Sequence, residues 1–370
     1  MRIESIEIHR VAMPLIYPFR TAFGDVDVIE SCLVKMTSGG VTGWGEAAPW
    51  GPPLYSPEWA AGVFILVRDW LAPQLIGQDI DSGEQLQEKL RPFKGNHFAK
   101  ASLDLAWWDL HAKMSQQPLW RLLGGLSDTA DVGADFGVME TFDLLLQTID
   151  KAVQVGFKRI KLKMRPGWEL EVIRAVRRAF PQTLFHVDCN SGYTLEDLKL
   201  FQALDKMNLA MIEQPLAHDD LLDHAKLQQY IKTPICLDES ITSPAKAAQA
   251  IEIGACRWIN IKPGRVGGIT PALQILRIAE KADIPCWIGG MLESAIGASH
   301  CVALATLPNI KYPSDLFPSR RFFEKDLGYP EVELSGPSEI KAFEGWGIGC
   351  SPVESQLRAL SKERCCLGMS

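Results

Sequence analysis

The segment Phe157–Pro166, FKRIKLKMRP, carries five cationic side chains in ten residues. Lys161 and Lys163 stand two apart, so on an extended strand they share a face. Three acids follow at a regular interval: Asp188, Glu213 and Asp238 are separated by 25 residues each. They sit in the runs LFHVDCN, MIEQP and PICLDE, apolar stretches that end on an acid, with Asn190 and Glu239 beside two of them. A further run, WINIKP, ends on Lys262. Taken singly, each acid reads as a helix N-cap or a solvated strand end. As a series converging on one place they would repel one another unless a cation lay between them. Hard oxygen ligands without clustered His or Cys argue for magnesium, with manganese as the alternative ion. Amines flanking such an ion suit removal of a weakly acidic proton next to a carboxylate, the ion taking the charge of the resulting enediolate.

Side chains this far apart in sequence need a scaffold that repeats. From about Asp131 onward, short apolar runs alternate with amphipathic stretches of helical spacing such as TFDLLLQTIDKAVQVG. Eight runs begin at Val132, Phe157, Leu184, Met211, Pro234, Trp258, Pro285 and, more weakly, Asn309. The pattern predicts an α/β fold: a (β/α)8-type barrel, in the modified form (β/α)7β, over residues 131–319. Residues 1–130 predict an α+β capping domain with an antiparallel meander turning at SGG, completed by about 320–370. In such barrels the reacting groups sit at the C-terminal ends of the strands. The three acids, the lysines and Asn190 stand there. Lys161 and Lys163 then point into the barrel, with Ile160 and Leu162 toward the helices. Crowding by a second ammonium, partial burial and a nearby metal would lower the proton affinity of Lys163 until it serves as a base. Lys262 arrives four strands further round the ring.

A net charge of −7 provides no broad attraction to nucleic acid or to an anionic membrane surface. The longest apolar run, WAAGVFILV, is too short to span a bilayer, and MRIESIEIHR has no signal-peptide core, so the chain reads as cytoplasmic. The nine cysteines include no CxxC pair and lie mostly in strand-like runs, the usage of reduced thiols; Cys365 and Cys366 predict a frayed terminus. No GxGxxG or phosphate loop is found. A Schiff-base barrel using Lys163 or Lys262, and a silent binding scaffold, are the readings from other classes.

The order KLK, VDCN, IEQP, LDES, NIKPGRVGG resembles the enolase superfamily, and within it the muconate-lactonising subgroup. PFRTAFG, GWGEAAP and GPPLYSPEW in the cap, with GGMLESAIG and RFFEKDL later, extend the likeness over nearly the whole chain. It looks closest to the o-succinylbenzoate synthase and N-succinylamino acid racemase branch. The resemblance implies that Asp188, Glu213 and Asp238 bind magnesium and that Lys163 is the general acid/base. Lys262 would be the opposing acid/base or a cation for the intermediate, and Lys161 would tune Lys163. Arg265 is either a site residue of the racemase-containing branch or a surface charge. The substrate expected is a small carboxylate, dehydrated in a menaquinone-pathway step or racemised as an N-succinylamino acid, with no nucleic-acid or membrane partner. Pairing of cap surfaces makes a homo-oligomer an expectation. Cys189 and Gly192 depart from the alanines expected there, and the seventh strand lacks a His base. His186 reads as a core histidine. Asn190, Phe19, Phe23, Tyr55, Met291, Leu292 and Arg265 are the candidate substrate contacts, the three aromatics as an apolar wall or as cap core.

Overall fold

The computed structural model describes residues 1–21, 24–139, 141–167 and 169–368. Its first three strands, β1 (Ser5–Thr21), β2 (Gly24–Ser38) and β3 (Val41–Ala47), form the expected antiparallel meander. At the β2–β3 turn Gly39 and Gly40 both take positive φ, 54° and 75°. A two-residue hairpin of that hand requires this, and glycine adopts it without steric cost. The meander packs on the helix His97–Met114 so closely that β3 needs glycine twice. A Cβ on Gly43 would lie 2.3 Å from the Ala106 carbonyl oxygen, and one on Gly45 would lie 2.4 Å from the Ala106 nitrogen.

After the short strand β4 (Thr129–Asp131) the barrel begins. Its parallel staves lie side by side in chain order: β5 (Ala134–Phe136), β6 (Arg159–Lys163), β7 (Leu184–Asp188), β8 (Ile212–Glu213), β9 (Ile235–Leu237), β10 (Trp258–Ile261) and β11 (Cys286–Ile288). The eighth run is the irregular one. Ile310 and Asp315 bridge to Cys286 and Gly289 on one side, and Ser314 bridges to Val132 on the other. Pro313 has no N–H to give to a ladder, so the segment closes the ring through isolated bridges rather than as a strand. Local sequence sets the intervening helices: Thr141 caps Phe142–Val155 through the Leu144 amide, and Gly156 ends that helix at φ 100°.

The tail returns to the cap. Strands β12 (Gly328–Tyr329) and β15 (Ser351–Pro352) pair, as do β13 (Leu334–Gly336) and β14 (Glu339–Lys341), and β14 also pairs with β4. The terminus expected to fray is instead an ordered strand, β16 (Ser361–Gly368), antiparallel to β1 with Cys365 opposite Ile8 and Cys366 opposite Glu7. Exposed and half-buried residues alternate along it, so one face packs on the cap while the other meets water. All nine thiols are free, seven of them buried. Among the described residues no helix is long and apolar enough to cross a membrane.

Cap and barrel meet through buried polar groups. Glu46, at the end of β3, accepts from the Ser31 hydroxyl (2.8 Å) and, across the seam, from the Ser294 and Gly297 amides (3.2 and 3.0 Å) at the start of the barrel helix Ala295–Ala305. Burial pushes its carboxyl up to about 7.

Gly43→Ala should cost about 3 kcal/mol of unfolding free energy in urea titration, because the clash is with backbone that cannot turn aside. Glu46 contributes stability that is complete below about pH 4.5, its ordinary range, and is lost as pH rises through about 7. The stability difference between wild type and Glu46→Gln should therefore shift by on the order of 3 kcal/mol across that window, against the wild type.

Candidate active site

Strand β6 brings three cations to one face, because every second residue of a barrel stave looks inward. Arg159 is lowest and fully buried, donating to Asp135 (2.6 Å), to the Pro313 carbonyl and to Asp315. Lys161 stands one step higher among Asp315 (2.6 Å), Asp188 (2.9 Å) and Glu213 (2.9 Å), with Asp135 at 3.9 Å. Lys163 is at the mouth, donating to Asp188 (2.6 Å) and to the Asn190 side-chain oxygen (2.8 Å). Asp188 and Glu213 end β7 and β8, and Asp238 follows β9; all three are fully buried.

On the far side of the mouth, Lys262 follows β10 and approaches Asp238 at 2.9 Å. Arg265, on the short helix Pro263–Val266, is buried against Asp238, the Ile241 carbonyl (2.9 Å) and the Asn260 carbonyl (2.6 Å), so it belongs to the site and not to the surface. Tyr55 comes down from the cap. Its hydroxyl accepts from Lys262 (3.1 Å) and Arg265 (2.9 Å) and donates to Asp238 at 3.3 Å. The residue expected as part of an apolar wall is thus a polar contact of the lysine, since a buried phenol needs a hydrogen-bond partner.

Charges compete strongly here. Burial opposes the ammonium of Lys161, but Asp188, Asp315 and Glu213 together raise its proton affinity well above the ordinary lysine range. Lys262 is likewise raised, burial being outweighed by Asp238. For these two the carboxylates, more numerous and closer, outweigh the neighbouring ammonium groups. Asp188 is held well below the usual carboxylate range by Lys161 and Lys163 in spite of burial. Burial and the Asp188 charge push Glu213 up to about 7, and burial with Asp238 and Asp188 pushes Glu239 up to about 8.

Among the described residues no three His, Cys, Asp or Glu side chains are set to hold a metal ion, because the acid oxygens turn to Lys161, Lys163, Lys262 and Arg265. The donor set nevertheless fits a hard divalent cation. It is all oxygen on three neighbouring staves, burial and the Asp188 charge raise Glu213, and one Glu239 oxygen is buried without a hydrogen-bond partner. Asn190, at φ 42°, gives its amide to Asp188 and its side-chain N–H to Glu239, bracing two acids at once. His186 is the satisfied core histidine expected, its ring nitrogens 3.0 Å from the Tyr312 hydroxyl and 3.3 Å from Glu213.

The remaining expected contacts scatter. Phe19 meets Trp50 and Phe322 edge-on and lines a cavity of about 610 Å³ together with Phe136, Met139 and Arg321. Asp135, whose carboxylate lies 3.9 Å from Lys161, also lines that cavity. Met291 and Leu292 are buried beyond β11, Met291 accepting from the Trp50 indole at 2.8 Å, and no hydrogen bond ties either to the lysines. Phe23 lies outside the described residues. Sequence reasoning missed Asp135 and Asp315 as partners of Lys161, and Arg159 as the second cation that shares them. Arg159 was signalled by the same period of two that marked the lysines, and Asp315 by its place at the end of the eighth run.

Residues 3–124 match the family described as Mandelate racemase / muconate lactonizing enzyme, N-terminal domain, and residues 145–356 match Enolase C-terminal domain-like. The chain is 42% identical over 349 residues to an N-succinylamino acid racemase of Thermus thermophilus, covering 94% of each. It is 44% identical over 335 residues to an o-succinylbenzoate synthase of Geobacillus kaustophilus, covering 90% of this chain and 89% of that one. A crystal structure of an enolase-superfamily member from Listeria innocua superposes with a TM-score of 0.96 at 34% identity, over 100% of this chain and 99% of the other.

Lys161→Met should leave Asp188, Glu213 and Asp315 facing one another without their shared cation. A loss of about 3–5 kcal/mol is expected in urea denaturation with chelator present.

Proposed function

Because the chain belongs to the mandelate racemase and muconate lactonizing enzyme family of the enolase superfamily, we propose that it is an o-succinylbenzoate synthase acting by lysine acid/base catalysis. The observation that carries this reading is the pair of amines, Lys163 and Lys262, on β6 and beyond β10, flanking three buried acids. Enzymes of this family are generally magnesium-dependent. Asp188, Glu213 and Asp238 would hold the ion, which supplies positive charge to the substrate carboxylate as its α-carbon loses a proton.

The chain's own residues do the rest. Lys163, in its neutral form, takes the proton α to the carboxylate of 2-succinyl-6-hydroxy-2,4-cyclohexadiene-1-carboxylate. It returns that proton to the hydroxyl leaving from the same face, so that water departs and the ring becomes aromatic. Lys262 faces the other side as a fixed cation, steadied by Asp238 and Tyr55. Asn190 orients Lys163. The apolar cavity beside Phe19 and Phe136 excludes water from the ring.

Racemisation of N-succinylamino acids is the second reading, favoured by relatives of that name and by the opposed lysines, each of which would serve one face of the α-carbon.

Purified protein should dehydrate the cyclohexadiene substrate with magnesium, stop in chelator and recover on magnesium addition. Lys163→Ala should lose about 10²–10⁴-fold in kcat. Absence of turnover with an intact fold and added magnesium rejects the synthase. For the second reading, incubation of a single N-succinylamino acid enantiomer in deuterated water should incorporate deuterium at the α-carbon, and absence of exchange rejects it.

A further inference from the structure

The turn that carries Lys262 and Arg265 leads from β10 through the short helix Pro263–Val266 and two glycines into the barrel helix Ile269–Lys281. Gly267 and Gly268 take φ of 102° and 119°. The longer helix starts without a cap of its own: Gly268 holds the N-cap position, and no side chain there accepts from the first turn. Uncapped amides at a buried helix end are costly, so an acceptor has to come from elsewhere.

It comes from the capping domain. Asp104, fully buried on the helix His97–Met114, accepts from the Thr270 amide at 3.1 Å. Gln87, on the neighbouring cap helix Gly83–Leu90, donates to the other Asp104 oxygen and to the Gly267 carbonyl, each at 2.9 Å. Trp108 donates to the Thr270 hydroxyl at 2.9 Å. A Cβ at position 268 would stand 2.2 Å from the Asp104 oxygen, so only glycine lets the carboxylate reach the helix end. Phe98, six residues before Asp104 on the same helix, packs against Gly264 at the other end of the turn. The same arrangement recurs one stave on, where Glu46 reaches from the cap to the Gly297 amide.

We propose that Asp104 is the positioning residue for Lys262: by capping the barrel helix from outside the barrel, it holds the Lys262–Gly268 turn and so places the second amine of the site. The role given to Lys262 rests on the function proposed above. Asp104 touches no reacting atom. It acts through the backbone of the turn, and a displacement of about 1 Å at such a group is enough to cost on the order of 10²-fold in rate.

The test uses the magnesium-loaded protein and α-proton exchange of each N-succinylamino acid enantiomer in deuterated water. Lys262→Ala identifies the enantiomer whose proton Lys262 handles. Asp104→Ala should slow exchange of that enantiomer by about 10- to 100-fold. The opposite enantiomer and KM should stay within about twofold, and Asp104→Asn, which still offers an oxygen to Thr270, should recover most of the loss. Equal slowing of both enantiomers, or no slowing of either, overturns the proposal. If Asp104→Ala does not fold, Gln87→Ala removes the bridge to Gly267 and should show the same one-sided effect at smaller size. Should the wild type exchange neither enantiomer, the racemase reading fails by itself, and backbone hydrogen exchange decides the positioning claim. Amides of residues 264–270 should then exchange at least tenfold faster in the Asp104 variant while those of 211–216 stay unchanged, and unaltered protection at 264–270 refutes it.

Discussion

A buried ammonium, Lys161, sits among four carboxylates inside a closed ring of staves, and the rest of the site is arranged around that balance. Water has little access there, so each charge must be met by another side chain or be neutralised by a proton. The acids come from four different staves, and Lys161 is their common partner. Arg159 below it takes the opposite oxygens of Asp135 and Asp315. That pairing requires Asp315 to lie beside β5, which happens only because the irregular eighth segment bridges β11 to the residues just before β5. Closure of the barrel and neutralisation of its interior are therefore one event. The same crowding leaves Glu213 and Glu239 with raised proton affinity, the electrostatic condition under which a divalent ion is welcomed by oxygen ligands.

The cap is more than a lid. Tyr55 puts a hydroxyl between Lys262, Arg265 and Asp238, and Trp50 ties the loop after β11 by its indole. Glu46 and Asp104 reach across to the starts of two barrel helices. All four contacts join residues far apart in sequence, and all four meet the segments that follow the C-terminal ends of strands, where a barrel does its chemistry. A stave end supplies the functional group, and the cap supplies the hydrogen bonds that fix the loop behind it. The tightness of the β3 contact with the helix His97–Met114, enforced by Gly43 and Gly45, gives that helix a rigid seat from which Asp104 can act.

Period and spacing made the barrel legible. Apolar runs alternating with amphipathic stretches, one acid per strand-and-helix unit and two lysines on one face of a strand are local or regular features, and the chain displays them without any tertiary knowledge. The terminal strand around Cys365 was less visible, because an edge strand in a charged tail is stabilised by the strand it lands on and not by its own composition. Tyr55 read as apolar because a phenol's partner cannot be seen from its neighbours in sequence, and Arg265 was ambiguous for the same reason.

Which residues would stand at the barrel mouth was determined by the sequence alone, since strand ends and repeat length follow from side-chain pattern. What each charge faces was decided only in three dimensions. Lys161 is held charged by acids from other staves and Lys262 by Asp238, partners that neither lysine's neighbours in sequence reveal. Electrostatic energy depends on distance through space and on exclusion of water, and neither is a property of position along the chain.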